Sequence, residues 1–451
     1  MDQLRRLLKD QQGNVAVISA LMLIPMLVLA GGATDIARYE AFRAQLQDGV
    51  DRAVLAAASL SQGRTAEETV DEYLKSLAFI EEVELAVDQV DTINSKSVTV
   101  TASYNMATAF LPLIGINMLP MSAVASAEER RSNIELSLML DLSGSMNDNG
   151  KYPALKSAAT SFIQAMVTPE TEAYTTVNIV PYAGQVSLGS SFFDNWGGVR
   201  SHNNSSCVEL YKPDFYASTI NLATHAQVPH FTKWNGSADK PTLPANMNPG
   251  WCPSDNTAVT LMSNDADALI SRIAGFQMYD GTGTAIAMNW GLRFLDPALR
   301  PQVQQAVAAG QINSAFLNRP AAFDDAETLK VMVLMTDGAI TEQYTAKDPN
   351  AGVRTSKNDK AFYDPYWKKN IGADQAKELM NTICATAKSH GILVFTIGFQ
   401  LRDSDSNQLK MKNELRNCAS SASHYYDVQG LNIAAAFQSI ASTIQRIKLT
   451  Q

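Results

Sequence analysis

"NIELSLMLDLSGSM", residues 133–146, is a mostly apolar run that breaks abruptly into an aspartate and two serines. A short apolar run bounded by turn residues reads as a strand buried on both faces, the pattern of a parallel sheet. Asp141, Ser143 and Ser145 alternate with Leu142 and Gly144, so three small oxygen-bearing side chains can converge on one point of a tight turn. That point holds a metal ion, a nucleophilic serine or nothing.

Working outward, the same kind of run recurs as "TTVNIVPY" (175–182), "LKVMVLMT" (329–336) and "GILVFTIGF" (391–399), with "HYYDV" (424–428) as a last short strand. Helical stretches lie between and after them: "YPALKSAATSFIQAMV", "DADALISRIAGF", "TAIAMNWGLRFL", "ADQAKELMNTICATAKSH" and "IAAAFQSIASTIQRI". Strands alternating with helices predict an α/β fold built on a doubly wound, mostly parallel sheet. In such sheets, functional groups gather at the carboxyl ends of the strands. Asp141 and Asp337 both stand at such ends, and the Gly-rich "DGTGT" (280–284) opens a helix. No internal repeat or low-complexity tract stands out.

The chain has 451 residues, 46% of them hydrophobic and 18% charged, which reads as two or three globular domains. A net charge of -9, with no basic stripe, argues against a nucleic-acid partner. The clustered cations, Arg5, Arg6 and Lys9, precede a stretch from Gln11 to Thr34 without a charged residue. About 20 apolar helical residues cover the hydrocarbon core of a bilayer. Residues 14–34 therefore read as a transmembrane helix, with a cleaved secretory signal as the alternative. Cations before the span and Asp35 after it place residues 1–13 in the cytoplasm and the rest across the membrane. Pro25 lies within the span, where a helix tolerates it if the freed groups find partners.

Beyond the span, Tyr39, Phe42, Leu46, Val50, Ala53, Ala57 and Leu60 step by three or four residues. They form one apolar stripe, either of an ordinary packed helix or of a stalk continuous with the membrane helix. "AEETVDEYLKSLAFI" continues as a helix, and "VELAVDQV" and "SVTVTASY" alternate like half-buried strands. Residues 35–127 thus read as a stalk helix and small α+β module, and residues 128–451 as the larger domain. Insertions are expected at about 185–262 and 341–370.

"NIELSLMLDLSGSM", "DGTGTAIAMNWGL" and "VMVLMTDG" together resemble the three metal-site segments of a von Willebrand factor type A domain. The resemblance covers about residues 133–447, and all three segments in order make it specific. It implies a Rossmann-like sheet and a metal-ion-dependent adhesion site formed by Asp141, Ser143, Ser145, Thr282 and Asp337. Thr284 is the alternative to Thr282, because "GTGT" admits a two-residue shift. The implied cofactor is a divalent cation, Mg²⁺ first and Mn²⁺ or Ca²⁺ as alternatives, and the implied ligand is an acidic side chain of a partner protein. Oxygen donors suit such hard cations. No G-x-S-x-G elbow surrounds either serine, and nothing in the sequence ties a histidine to them, which disfavours a nucleophile.

The segment "DQQGNVAVISALMLIPMLVLAGGATDIARYEAFRAQLQDGVDRAVLAAASL" is similar to the start of TadG-like proteins of the bacterial Tad/Flp pilus system. "CATAKSHGILVFTIGF", "LRNCAS" and "AFQSIASTIQRIKLT" are similar to the same group. That likeness implies a bacterial inner-membrane protein with one span, a C-terminal domain in the periplasm or at the cell surface, and pilus components as partners. Ile18 stands where processed pilins carry a glutamate five residues after the cleaved glycine, which argues against prepilin-peptidase cleavage at Gly13.

Four cysteines fit an oxidising compartment. Cys384 and Cys418 lie in the TadG-similar segments, and Cys207 and Cys252 in the long insertion. Two disulfides, Cys207–Cys252 and Cys384–Cys418, are favoured over four buried thiols. A zinc site involving His202, His225 and His230 is conceivable, although their spacing matches no compact ligand motif. The sequence therefore predicts a non-enzymatic, metal-dependent adhesion or assembly component. A structural pseudopilin and a metal-dependent catalytic or chaperone-like subunit are the alternatives.

Overall fold

The structure, a computed structural model, describes residues 13–59, 62–91, 95–130, 132–231, 247–346 and 367–450. It divides into two compact units, Met1–Arg131 and Ser132–Gln451.

In the first unit, one long helix, α1 (Gly13–Ala57), carries Pro25 within it and is long and apolar enough to cross a membrane. Thr65 caps α2 (Ala66–Leu74) reciprocally with Glu68: each side chain receives the other residue's backbone N–H, at 3.1 and 3.2 Å. Strands β1 (Glu84–Asp91), β2 (Ser95–Ala107) and β3 (Met118–Arg130) form an antiparallel sheet in that order. The α1 stripe meets this sheet: Leu46, Val50, Ala53 and Ala57 are buried with Val98, Val100, Ala102, Met121 and Ala123. Leu60 of the stripe lies outside the described residues. Ring stacking of Phe42 on Phe79 and of Phe79 on Tyr104, each at 4.9 Å, closes the cluster.

The second unit begins β4 (Asn133–Asp141), α3 (Lys151–Met166), β5 (Thr175–Tyr182) and the short α4 (Ser190–Asn195). Next come β6 (Thr260–Ser263), α5 (Ala266–Gly275), α6 (Thr284–Arg293), α7 (Arg300–Ala308) and β7 (Thr328–Thr336). A hairpin, β8 (Gln343–Ala346) and β9 (Trp367–Ile371), precedes α8 (Ala373–Ser389) and β10 (Leu393–Phe399). The chain continues through α9 (Ser406–Cys418), β11 (Tyr425–Val428) and α10 (Ile433–Thr450). The main sheet runs β11-β10-β7-β4-β5-β6, parallel except at the edge strand β6. This is the expected doubly wound architecture.

Every residue of β4 is buried because helices cover both faces. Side chains alternate accordingly. Leu136, Leu138 and Leu140 join Phe162 of α3 and Phe437 of α10, while Met139 joins Ile286 of α6 and Met380 of α8 on the other face. From β4 the chain passes by α3 to β5 on one side, then returns to lay β7 on the other. The carboxyl ends of β4 and β7 therefore flank the switch point of the sheet.

At the opposite end of β4, Glu135 is buried in a charged cluster. It accepts hydrogen bonds from Lys330, from Arg319 at 3.0 Å and from the backbone N–H of Ala321 at 2.7 Å. Burial pulls the Lys330 ammonium below its ordinary range, although Glu135 opposes this.

Cys207 pairs with Cys252 and Cys384 with Cys418, their Cα atoms 5.9 and 5.1 Å apart. The second bridge ties α8 to α9. Chain-entropy models assign about 3–4 kcal/mol to closing a loop of its size. Non-reduced digests of the native protein should yield a peptide joining Cys384 to Cys418, and two free thiols there would refute the pairing.

Candidate metal site

Three loops meet at the switch point. The first leaves β4 at Asp141, whose carboxylate is fully buried. Its Oδ1 accepts the Ser143 backbone N–H at 2.8 Å, and its Oδ2 accepts the Thr336 hydroxyl at 2.7 Å. The loop then tightens into a 3-10 turn, Gly144–Asn147, which brings Ser143 Oγ and Ser145 Oγ to 3.1 Å. From the third loop, Asp337 Oδ1 accepts the Ser145 hydroxyl at 2.6 Å.

The second loop, "DGTGT", lies backbone to backbone on the turn after β5. Gly184 donates its N–H to Asp280 O at 2.7 Å, and Gly283 donates to Ala183 O at 2.6 Å. A Cβ on Gly283 would fall 2.4 Å from Gly184 O, so only glycine fits there. Thr341, beyond β7, holds Thr282 in place by accepting its N–H at 2.8 Å and returning its own N–H to Thr282 O at 3.2 Å. Gly338 serves as a ruler: a Cβ built there would lie 3.2 Å from Ser145 Oγ and 4.0 Å from Thr282 Oγ1. Thr282 therefore reaches the point where the other two loops meet. Thr284 is fully buried as the first residue of α6.

The electrostatics follow from burying two carboxylates together. Burial, then the charge of Asp337, pushes the Asp141 carboxyl up to about 7, against hydrogen bonds from Ser143 and Thr336. Burial also raises Asp337, while the Lys151 ammonium and the Ser145 hydroxyl pull it down. Lys151 stands at the start of α3, almost wholly buried. Its Nζ donates to Asp337 Oδ2 at 2.7 Å and to Ser145 O at 3.2 Å.

Lys151, Thr336 and Thr341 were not singled out in the sequence. Thr336 directly precedes Asp337, and Lys151 is the first basic residue after the serine turn, but neither position announces its partner. Among the described residues no group of three His, Cys, Asp or Glu side chains gathers at one point. The donor set here is two carboxylates and three hydroxyls, all hard oxygens, with a cation already drawn to one carboxylate. That set fits Mg²⁺ or a similar ion.

The long insertion borders this site. Trp251 packs its ring over Gly184 and Gly281, close enough that a Cβ on either would overlap it. Phe231 stacks on Trp251 at 6.1 Å, Tyr344 meets it edge-on at 5.6 Å, and the Cys207–Cys252 bridge joins the same cluster. His202 and His230 lie 6.1 Å apart by ring centroids, and His225 contacts Asp214. The cysteines near them are bonded to each other rather than free for a metal. Of the second expected insertion, residues 347–366 lie outside the described residues.

Residues 13–60 match the family model described as Flp pilus-assembly TadE/G-like. The likeness is to the N-terminal segment. It spans the whole described length of α1. No curated protein matches the chain. Among solved structures, the von Willebrand factor domain of the type V pili tip protein Mfa5 from Porphyromonas gingivalis is similar to it at 14% identity and a TM-score of 0.37, covering 71% of this chain and 97% of that one. The pilus adhesin SpaC from Lactobacillus rhamnosus GG is similar at 13% identity and a TM-score of 0.36, over 80% of this chain, which spans 34% of that protein. Proximal thread matrix protein 1 of the mussel byssus, whose structure has a zinc-occupied MIDAS motif, gives 11% identity and a TM-score of 0.31 over 70% of this chain and 46% of that one.

Proposed function

We propose that this chain is a membrane-anchored component of a Tad-type pilus system that binds a partner protein through a divalent cation. The cation, Mg²⁺ in this reading, would be held by Asp141, Ser143, Ser145, Thr282 and Asp337. The carrying observation is the convergence of two buried carboxylates and their hydroxyls at the switch point. Both carboxylates are buried, so a cation there offsets the part of their repulsion that the Lys151 ammonium leaves. When bound, the cation supplies an open coordination position for a partner's carboxylate. The chain's own residues do the rest: Thr336 and the Ser143 N–H orient Asp141, Thr341 sets Thr282, and Trp251 walls the threonine loop. The hydroxyls of Ser143 and Ser145 hydrogen-bond each other, and that of Ser145 donates to Asp337, an arrangement suited to ligation rather than to nucleophilic attack.

The anchor follows from α1 and the TadE/G-like match. Residues 14–34 would cross the bacterial inner membrane once, with Arg5, Arg6 and Lys9 inside and the larger unit periplasmic or at the cell surface. A reporter active only outside the cytoplasm, fused after Gln451, should be active, and activity of a cytoplasmic reporter alone at that position would refute the orientation. Crosslinking in pilus-expressing cells tests the binding reading: partners captured by the wild type should be lost with Asp141→Ala. Recovery of the chain in sheared fibres, cleaved after Gly13, would instead favour a structural pseudopilin, a role suited to the unbroken α1.

A further inference from the structure

The hairpin joining β2 to β3 runs alongside α1, and three contacts fix its direction. Gln47 Nε2 donates to Val124 O at 3.3 Å, and Tyr39 Oη donates to Pro120 O at 3.2 Å. Asp35 then receives the backbone N–H groups of Ala109, Phe110 and Leu111 at 2.9, 2.7 and 2.9 Å. As the helix is followed back toward its apolar half, the contacts step from the strand to the tip of the hairpin. The last contact is the closest: a Cβ on Gly31 would lie 2.3 Å from the Phe110 ring, and one on Gly32 would lie 3.2 Å from Leu111. The tip is thus level with Gly31, inside the stretch from Gln11 to Thr34 that carries no charge.

The tip itself is built to be held rigid. Leu111–Ile114 forms a 3-10 turn whose first N–H, with those of the two residues before it, Asp35 accepts, and Gly115 closes it at φ +86°. Thr108 locks the base, its N–H donating to Asn117 O at 3.1 Å and its hydroxyl to Ile116 O at 2.6 Å. What this turn presents outward is apolar. Leu113 is 64% exposed and Ile114 55%, with Phe110, Ile116 and Met118 also exposed. No charged residue occurs between Lys96 and Glu128. Loop tips on the surface of a soluble protein are ordinarily polar, and a contiguous exposed apolar patch marks an interaction surface.

We propose that this hairpin tip is a second membrane contact, with Phe110, Leu113, Ile114 and Ile116 entering the interfacial layer of the bilayer that α1 crosses. It rests on the anchor reading of residues 14–34. The occupant follows from continuity: Leu27, exposed, stands one helical turn before Gly31 on the face of α1 that Phe110 meets, so the apolar surface of the helix adjoins the tip. Apolar side chains at that depth gain by leaving water for the acyl boundary. The absence of charge spares the hairpin the cost of bringing an ion there. Two contacts, a helix and a rigid tip beside it, would fix the tilt of the first unit on the membrane, which a single helix leaves free.

The test uses the full chain in liposomes of phosphatidylethanolamine and phosphatidylglycerol. Single variants Leu113→Cys, Leu21→Cys and Val90→Cys each receive an environment-sensitive fluorophore. The four native cysteines are paired and buried, so they do not compete for label. Val90, exposed near the far end of the sheet where it pairs with Ser97, reports the aqueous phase. The label at Leu113 should emit blue-shifted and be quenched several-fold more than that at Val90 by lipids carrying a quencher at the headgroup boundary, and the label at Leu21, near the middle of the span, should be quenched by lipids carrying it on the acyl chain. Quenching at Leu21 with Leu113 behaving like Val90 overturns the hairpin contact and leaves the anchor standing. A blue shift at Leu113 without lipid quenching also overturns it, and assigns the tip to a protein neighbour. No lipid quenching at Leu21 overturns the anchor and the hairpin contact together.

Discussion

Mg²⁺ added to residues 128–451 should raise the melting temperature, and Asp141→Ala should abolish the rise. At about a hundredfold excess over Kd, binding to the folded state alone stabilises by about 2.7 kcal/mol. For a unit of this size that corresponds to on the order of 5 °C. Ser143→Ala should weaken the ion less, because water can replace a neutral hydroxyl. Lys151→Met should tighten it, since the ammonium at Asp337 repels an incoming divalent cation.

The raised Asp141 carboxyl sets the pH dependence. Its folded value of about 7 lies above the ordinary carboxylate value, so the folded state without metal holds the proton more tightly than the unfolded chain. That contribution to stability is full below the unfolded value and is lost as the pH rises through about 7. Metal-free protein should therefore lose melting temperature between pH 6 and pH 8, and saturating Mg²⁺ should cancel much of the loss. Titration calorimetry in two buffers of different ionisation enthalpy should show proton release on binding. Equal metal affinity in the wild type and Asp141→Ala would remove the basis for the site.

Glu135→Ala should destabilise the same fragment by about 3–5 kcal/mol, because it leaves the Lys330 ammonium buried without its carboxylate. Lys330 retains the Leu295 carbonyl, at 2.9 Å, and the face of the Phe323 ring, neither of them an anion, and Arg319 loses its carboxylate and keeps the Thr328 hydroxyl. Replacing both members, Glu135→Met with Lys330→Met, should recover much of the loss, since the cost lies in the orphaned charge rather than in the missing pair. Urea denaturation of the wild type and the two variants measures this. A single variant within 1 kcal/mol of the wild type would show that the cluster is hydrated or rearranges.

Glu135 also shows what the sequence hides. It sits near the start of "NIELSLML", where the apolar residues carry the strand assignment and one glutamate does not disturb it. Its partners lie 184 and 195 residues away, and no local pattern links them. The main parallel strands were legible because burial on both faces forces runs of Val, Ile, Leu and Met. Strand β3 was not, because "MLPMSAVASAEER" builds its alternation from Ala and Ser, poor strand formers, and contains Pro120. Only at an edge, pairing with β2 alone, is such a strand tolerated. Strand β6 is four residues long, too short to show a period.

The site divides in the same way. Asp141, Ser143, Ser145, Thr282 and Asp337 were readable because three segments in order resemble one known arrangement. Lys151, Thr336 and Thr341 carry no spacing of their own. Their roles exist only once the fold brings α3 and the end of β7 together, with Lys151 and Asp337 separated by 186 residues in the chain.

The two disulfides acquire another meaning if the chain bears tension. A strand of n residues extends at most about 3.3–3.6 Å times n when pulled straight. The bridges close segments with sequence separations of 45 and 34 residues, which withholds roughly 160 and 120 Å of slack from any pull on the termini. A force that tears the second unit open therefore meets two crosslinks before the chain runs taut. The part of the long insertion between Cys207 and Cys252, which carries Trp251 beside the threonine loop, stays a closed ring of fixed circumference while the rest of the domain lengthens.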